Sequence, residues 1–482
     1  VNDDRPHSRN VGYQRVDAGY LDRRRLRRGA AGWVLLAGLG VSSVISGDFA
    51  GWNFGLAHGG WGGLLVATAL MATMYTCMVF GLAELASAMP VAGAGYGFAR
   101  RALGPLGGFA TGTAILVEYT IAPAAIAVFI GGYVEALGLF GLTNSWPVYL
   151  ACYAIFVGVH LRGVGEALRL VFAVTAVAVV ALVVFVVGMA PRFDPGRLFD
   201  IPPTDAAGAS PFLPFGVTGV FAALVYGIWF FLAVESVPLA AEETRDPGRD
   251  LPRGIVAATV VLLGLAALIL VVAPGAAGSA AIARSDNPLP HAVVVASGGV
   301  TPLSQFVNHV GLAGLVASFF SIIYAYSRQL FALSRAGYLP RWLSLTGRRR
   351  TPYTALLVPG TVGFLLAACV GDGERLINVA VFGATLSYVL MTLSHIVLRV
   401  REPDLPRPYR TPGGIVTTGV ALVLAVAAVI ATFLVDPTAA LVTAGIVVVA
   451  LAYFWFHSRH RLVADAPEEE FAAVARAERD LA

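Results

Sequence analysis

The chain has 482 residues, 57% of them apolar and only 13% charged, with a mean hydropathy of +0.76. Soluble domains run at roughly 45–50% apolar and about 25% charged, so this composition excludes a water-soluble globular protein and calls for a membrane. The formal charge of +4 and pI near 9.0 rest on 33 basic residues, all arginine, whose placement reports topology and contact with anionic lipid, with no sign of a nucleic-acid surface.

Residues 1–28 are polar and basic with no apolar run of their own, which reads as a cytoplasmic tail and not a cleaved signal. Apolar runs of about 20 residues then predict twelve spans, at 30–57, 62–88, 105–138, 146–161, 167–190, 215–241, 254–274, 304–333, 353–370, 376–398, 413–434 and 438–457. With the N-terminus inside, every arginine except Arg192, Arg197, Arg284 and Arg375 falls on the cytoplasmic side, as the positive-inside rule requires. The expected setting is a cytoplasmic (inner or plasma) membrane, in a bacterium, with both termini cytoplasmic. Loops are expected at 191–214 outside and 399–412 inside, with a C-terminal tail at 458–482. Within that tail, residues 466–482, which include Glu468-Glu469-Glu470, predict a short exposed helix. Cys77, Cys152 and Cys369 lie in separate spans and read as small buried apolar residues with no disulfide framework.

Two spans are interrupted. The first runs from Ala30 to Ile45, meets Ser46-Gly47-Asp48, and resumes from Phe49 to Leu56. The sixth runs from Val217 to Ile228, meets Trp229-Phe230-Phe231-Leu232-Ala233-Val234-Glu235-Ser236, and continues at Val237-Pro238. A carboxylate at bilayer depth costs about 2.5–3.5 kcal/mol even on lenient insertion scales, so Asp48 and Glu235 call for partners. Broken helices five spans apart point to a transporter built of inverted repeats, with its site between the breaks. The alternative is that Ser46-Gly47 and Pro238 are ordinary kinks.

The stretch 230–236 followed by Ala241-Glu242-Glu243-Thr244-Arg245-Asp246-Pro247-Gly248 resembles the sixth helix and following loop of the amino acid-polyamine-organocation transporters. Ala83-Glu84-Leu85 with Pro90-Val91-Ala92-Gly93-Ala94-Gly95-Tyr96, and Ser327-Arg328-Gln329-Leu330-Phe331-Ala332-Leu333-Ser334-Arg335-Ala336-Gly337, are similar to the inner ends of that family's second and eighth helices. The resemblance covers about 30–457. It implies an all-α integral membrane protein of 12 helices, two inverted five-helix repeats (29–190 and 215–398) with helices 1 and 6 broken, and two appended helices at 413–457. Within that superfamily, Val44 to Leu56, Leu70-Met71-Ala72-Thr73-Met74-Tyr75 and Glu118-Tyr119-Thr120-Ile121-Ala122-Pro123 most resemble the ethanolamine permeases.

Amino-acid carriers of this superfamily hold the substrate carboxylate on free NH groups of a small-residue break, where the helix dipole favours an anion. The matching positions here are Ser46, Gly47 and Asp48, and an ionised Asp48 would repel a carboxylate or occupy those NH groups itself. The expected substrate is a small amine without an acid group; the bland reading of Asp48 is a cap on the second half-helix. Glu118, which the resemblance turns toward the central cavity, would bind the ammonium by a charge-assisted contact or else serve as a lattice or proton-carrying group. Glu235 reads as a proton-linked gate or as a tie between the half-helix and its neighbours. Ser46 or Tyr119 would take a substrate hydroxyl, and Trp229, Phe231 and Ala233 would line the site, the two rings able to cover a cation or merely to pack. Ser318 and Ser321 would form an ion site or a helix contact. No cofactor or metal is expected, and the coupling ion is left open between H+ and Na+.

The expected function is thus secondary active import of ethanolamine or a similar amino alcohol, in contact with membrane lipid, without nucleic acid or an obligate protein partner. An amino acid permease and a diamine (putrescine-like) permease stay open as alternatives, as does a nutrient sensor on a transporter fold. An enzyme is not expected, because no HExxH pattern, paired cysteines or G-x-S-x-G elbow occurs.

Overall fold

A computed structural model describes residues 11–469, leaving out 15, 17–18, 25–30, 92, 139–143, 164, 465 and 468, and the side chains of 22 and 165–168. The helices are α1 (Trp33–Val44), α2 (Ser46–Phe49), α3 (Phe54–Ala88), α4 (Gly95–Ala136), α5 (Trp146–Arg162), α6 (Gly165–Met189), α7 (Gly216–Trp229) and α8 (Pro247–Ala277). They continue with α9 (Ser279–Ile282), α10 (Pro288–Ser297), α11 (Pro302–Arg335), α12 (Tyr353–Val370), α13 (Gly373–Arg401), α14 (Ile415–Val435) and α15 (Pro437–Phe456). A 3₁₀ segment, Val234–Glu243, continues α7 after a break. The protein is all-α, with isolated β-bridges and no strand among the described residues.

Ten of these stretches are long and apolar enough to cross a membrane, and the shorter apolar helices Trp33–Phe49 and Trp146–Arg162 stand where spans one and four are expected. α3 carries the end of the first span and all of the second, bending at Gly60, and α4 bends at Gly104 before Pro105. Two short helices, α9 and α10, fill the loop between spans seven and eight, which sequence periodicity left unassigned. α14 and α15 leave Val423, Leu434, Leu441, Val448 and Val449 more than 60% exposed, faces suited to lipid and not to water. Local rules set the helix starts: Thr301 and Ser304 form a reciprocal capping box ahead of α11, and Asp372 and Asp436 cap α13 and α15 through the NH groups of Arg375 and Ala439.

One set of helix ends is held by charge. Glu84 of α3 receives Arg399 of α13 at 2.5 Å, the Thr411 NH at 2.7 Å and approaches Arg407 at 2.9 Å. Glu243 binds Arg328 of α11 at 3.0 Å and the Tyr324 hydroxyl, while Glu242 binds Arg335 at 2.6 Å. The two termini also meet: the Gly12 and Gln14 NH groups donate to the Arg459 and Leu462 carbonyls, and Glu469 is buried against Arg100 at 2.6 Å with the Tyr13 and Tyr338 hydroxyls each at 3.2 Å. Burial, then the adjoining carboxylate, raises both phenols above their ordinary pKa, so they act as neutral donors. The exposed tail helix expected from 466 is therefore corrected at its start, where Ala466 and Glu469 are buried; residues 470–482 lie outside the described ones. Cys152 is buried, Cys77 is half-buried and Cys369 is exposed, so the last departs from the expectation of a buried thiol.

Candidate functional site

The first break lies later than the sequence suggested. Ser46–Phe49 makes a helical turn, and the irregular backbone runs from Ala50, which is extended, through Gly51 at φ +95° to Asn53. The reason is hydrogen bonding: the Asp48 and Ala50 NH groups donate to the Ile45 and Ser46 carbonyls, which keeps the chain turning until Gly51 enters the left-handed region. Two further donors find side chains, Ser46 NH on Ser318 Oγ at 2.9 Å and Gly51 NH on Asn53 Oδ1 at 3.1 Å. Gly47 lets the two broken helices touch, since a Cβ there would stand 2.5 Å from the Trp229 carbonyl oxygen.

Asp48 is fully buried, and neither carboxylate oxygen accepts a hydrogen bond among the described residues. It therefore caps nothing. Among the described residues no hydrogen-bonding or charged partner meets it, so Asp48 is not part of the pair formed by the other two acids singled out from the sequence.

The sixth helix ends at Trp229, whose indole NH donates to the Ala50 carbonyl at 2.9 Å and so closes one break upon the other. Trp229 is thus committed to the backbone at the expected cover of the site. Ala233 then adopts φ +78°, a conformation uncommon for a residue with a Cβ. This turn starts the 3₁₀ segment and delivers Glu235 inward, while Ser236 binds Ser43 of α1 at 3.1 Å.

Glu235 and Glu118 come together. The two buried carboxylates are near enough to act on each other, with the hydroxyl of Tyr388 beside both. Tyr119 donates to Glu235 Oε1 at 3.2 Å, and Tyr388 of α13 shares a 2.8 Å bond with Tyr75 of α3. Phe231 adjoins this cluster, its ring centroid 5.5 Å from that of Tyr75. All of these residues are at most 5% exposed, so the cluster is buried in the helix packing. The sequence assigned Glu118 and Glu235 separate duties, whereas they form one centre drawn from α3, α4, the 3₁₀ segment and α13.

Tyr75 and Tyr388 were missed as site residues. A signal existed: a phenol hydroxyl in the middle of an apolar helix needs a polar partner, and Tyr75 already stood inside a recognised motif. Ser318 and Ser321 lie where α11 meets α1. Ser318 donates to the Ser42 carbonyl at 2.6 Å, and Ser321 and Ser42 share a 2.6 Å hydroxyl contact. Ser42, also absent from the sequence reading, completes this group. Such contacts hold two helices closely, and the same oxygens are the ones a small cation would use.

The chain matches the family model described as amino acid permease over residues 32–464. An uncharacterized transporter of Rhizobium meliloti (strain 1021) is 31% identical over 91% of this chain and 93% of its own length. A branched-chain amino acid permease of Bacillus subtilis (strain 168) is 28% identical over 80% of this chain and 84% of its own length. An uncharacterized transporter of Mycobacterium tuberculosis (strain ATCC 25618 / H37Rv) is 30% identical over 76% and 79%.

Proposed function

The chain belongs to the amino acid permease family, and from that premise we propose that it imports ethanolamine or a similar small amino alcohol, as a cation, across the cytoplasmic membrane by alternating access. The observation that carries this reading is the carboxylate pair Glu118 and Glu235, enclosed with tyrosine hydroxyls and without a basic side chain acting on either acid. Two like charges in contact inside a low-dielectric site call for a cation or a proton between them. An amino acid would bring a carboxylate as well, and four of the NH groups at the first break, those of Ser46, Asp48, Ala50 and Gly51, are already bonded within the protein. Asp48, close in sequence to those groups and ionisable, disfavours an anion further.

In this reading Glu118 holds the ammonium, Tyr119 or Ser46 takes the hydroxyl, and Phe231 covers the ligand. Glu235 rides on the segment after the sixth-helix break, so hinging of that segment would separate the acids and couple release to a proton. Ser318, Ser321 and Ser42 are the alternative coupling site, for sodium.

Uptake of labelled ethanolamine into proteoliposomes, with alanine, leucine, putrescine and arginine as competitors, tests the substrate. Displacement by unlabelled ethanolamine alone is expected. Alanine or leucine competing as well as ethanolamine would return the chain to the amino-acid reading that the B. subtilis relative's name carries, and putrescine competing best would select a diamine. Imposing proton and sodium gradients separately identifies the coupling ion, with stimulation by the proton gradient expected.

A further inference from the structure

We propose that the groove between α4, α12, α13 and α15 holds one phospholipid of the surrounding membrane, with an acyl chain against the four helices and the phosphate on Arg375.

The groove has a volume of about 510 Å³ and is lined by aliphatic side chains, among them Val117, Ile121, Val362, Leu376 and Val442. Two threonines and Arg375, the one charged side chain among the described residues lining it, complete the wall. Thr120 gives its hydroxyl to the Leu116 carbonyl at 2.6 Å and so brings no free donor. Val362, Val370, Val442 and Ile446 are 41% to 51% exposed, so the groove opens at the helix surface. All four walls belong to stretches long and apolar enough to cross a membrane, and lipid is what meets an apolar surface there.

Length and charge select the occupant. The lining runs from Thr113 to Ile121 on α4 and from Val362 to Val370 on α12, in each case about 12 Å at 1.5 Å per residue. One leaflet of a hydrocarbon core of about 30 Å is roughly 15 Å deep, so the groove matches one leaflet's chains. Arg375 stands in the first turn of α13, a few residues after the C-terminal end of α12, and therefore at one end of that path. Its side chain is 77% exposed, and Asp372 meets it through Nε at 3.2 Å. An exposed pair of this kind is weak. The two Nη groups hold no partner among the described residues and suit the oxygens of a phosphate. An apolar trough one leaflet deep, with a cation at its end, is complementary to an amphiphile with an anionic head.

The groove also backs onto the candidate site. Val117 and Ile121 line it, while Glu118 and Tyr119 between them meet Glu235. Gly383 of α13 packs so closely on α4 that a Cβ would stand 3.1 Å from the Ala114 carbonyl oxygen and 3.2 Å from the Glu118 nitrogen. A chain seated in the groove thus packs against the segment of α4 that positions Glu118.

The test is native mass spectrometry of the purified full-length protein in detergent, titrated with dioleoylphosphatidylglycerol. One tightly held phospholipid per chain is expected. Val442→Trp fills the groove from a half-exposed position and should weaken retention roughly tenfold, while Arg375→Gln should weaken it roughly fivefold, both with parental melting temperature and elution profile. Should Val442→Trp not fold, Ile446→Trp takes its place. A parent that retains no phospholipid, or a filled groove that retains as much as the parent, overturns the proposal. Dioleoylglycerol, which lacks the phosphate, held by the parent as well as dioleoylphosphatidylglycerol would remove Arg375 and the phosphate from it. A lipid-free dimer that Val442→Trp dissociates would give the groove to a second copy of the chain.

Discussion

A buried carboxylate in a membrane helix is tolerated in proportion to what surrounds it, and Asp48, Glu118 and Glu235 occupy two different settings. Glu118 and Glu235 neighbour each other and tyrosine hydroxyls, one of which, Tyr119, donates to Glu235, whereas Asp48 has both oxygens unsatisfied and no such hydroxyl beside it. Asp48→Asn is therefore expected to raise the melting temperature of the detergent-solubilised protein, because a buried unpaired acid is removed, and to slow ethanolamine uptake roughly tenfold if that acid helps attract the cation. Uptake unchanged in the stabilised variant would strip Asp48 of any transport role. Tyr388→Phe removes one neutral hydroxyl beside the pair, and a net hydrogen bond of about 1 kcal/mol translates to roughly a fivefold weaker ethanolamine affinity with folding retained, measurable by the same competition assay. The acids were legible in the sequence because charge stands out in an apolar run. Tyr75 and Tyr388 were legible only as phenols in need of a partner, since the chain has 16 tyrosines and no local rule says which hydroxyl meets the acids.

Among the elements, the two broken helices hold each other by backbone contact more than by side-chain chemistry. Gly47 against the Trp229 carbonyl, and the Trp229 indole on the Ala50 carbonyl, fasten the first break to the sixth helix. Gly47→Ala places a methyl 2.5 Å from a carbonyl oxygen that cannot rotate away. Overpacking of this kind costs about 1–3 kcal/mol, so a lower melting temperature with loss of uptake is expected, and a variant with parental stability and transport would show that the breaks are not locked together. That both helices break was readable from small and polar residues within apolar runs. Where the first one unwinds was not, because Ser46–Phe49 stays helical and the departure waits for Gly51, a choice made by hydrogen bonds to α11 and to Asn53.

For the whole molecule, the buried contact of Arg100 with Glu469 joins the first turns of α4 to the C-terminal segment, and the N-terminal segment pairs with that segment at Tyr13 and Leu462. Removing one partner of a buried ion pair costs about 3–5 kcal/mol. Glu469→Gln should therefore loosen this closure, seen as faster trypsin cleavage after Arg459 and Arg461 in inside-out vesicles, while replacing Arg100 and Glu469 together by methionine and leucine should restore much of the resistance. Cleavage at the parental rate in Glu469→Gln would mean that the pair does not hold the tail. Orientation has its own check: Cys369, exposed near the C-terminal end of α12, would lie outside in the expected topology and react with a membrane-impermeant maleimide added to intact cells, and labelling only in inside-out vesicles would invert the topology. The sequence by itself determined the membrane class, the spans, their expected orientation and the existence of two breaks, because hydropathy and charge act locally along the chain. Only the tertiary structure decided that Glu118 meets Glu235, that Asp48 is not part of that pair, that Glu243 pairs with Arg328 and that the termini clasp each other. Those outcomes depend on helices packing across long separations, as Tyr119 and Glu235 do over 116 residues, and the satisfaction of a buried polar group is a property of all its neighbours at once.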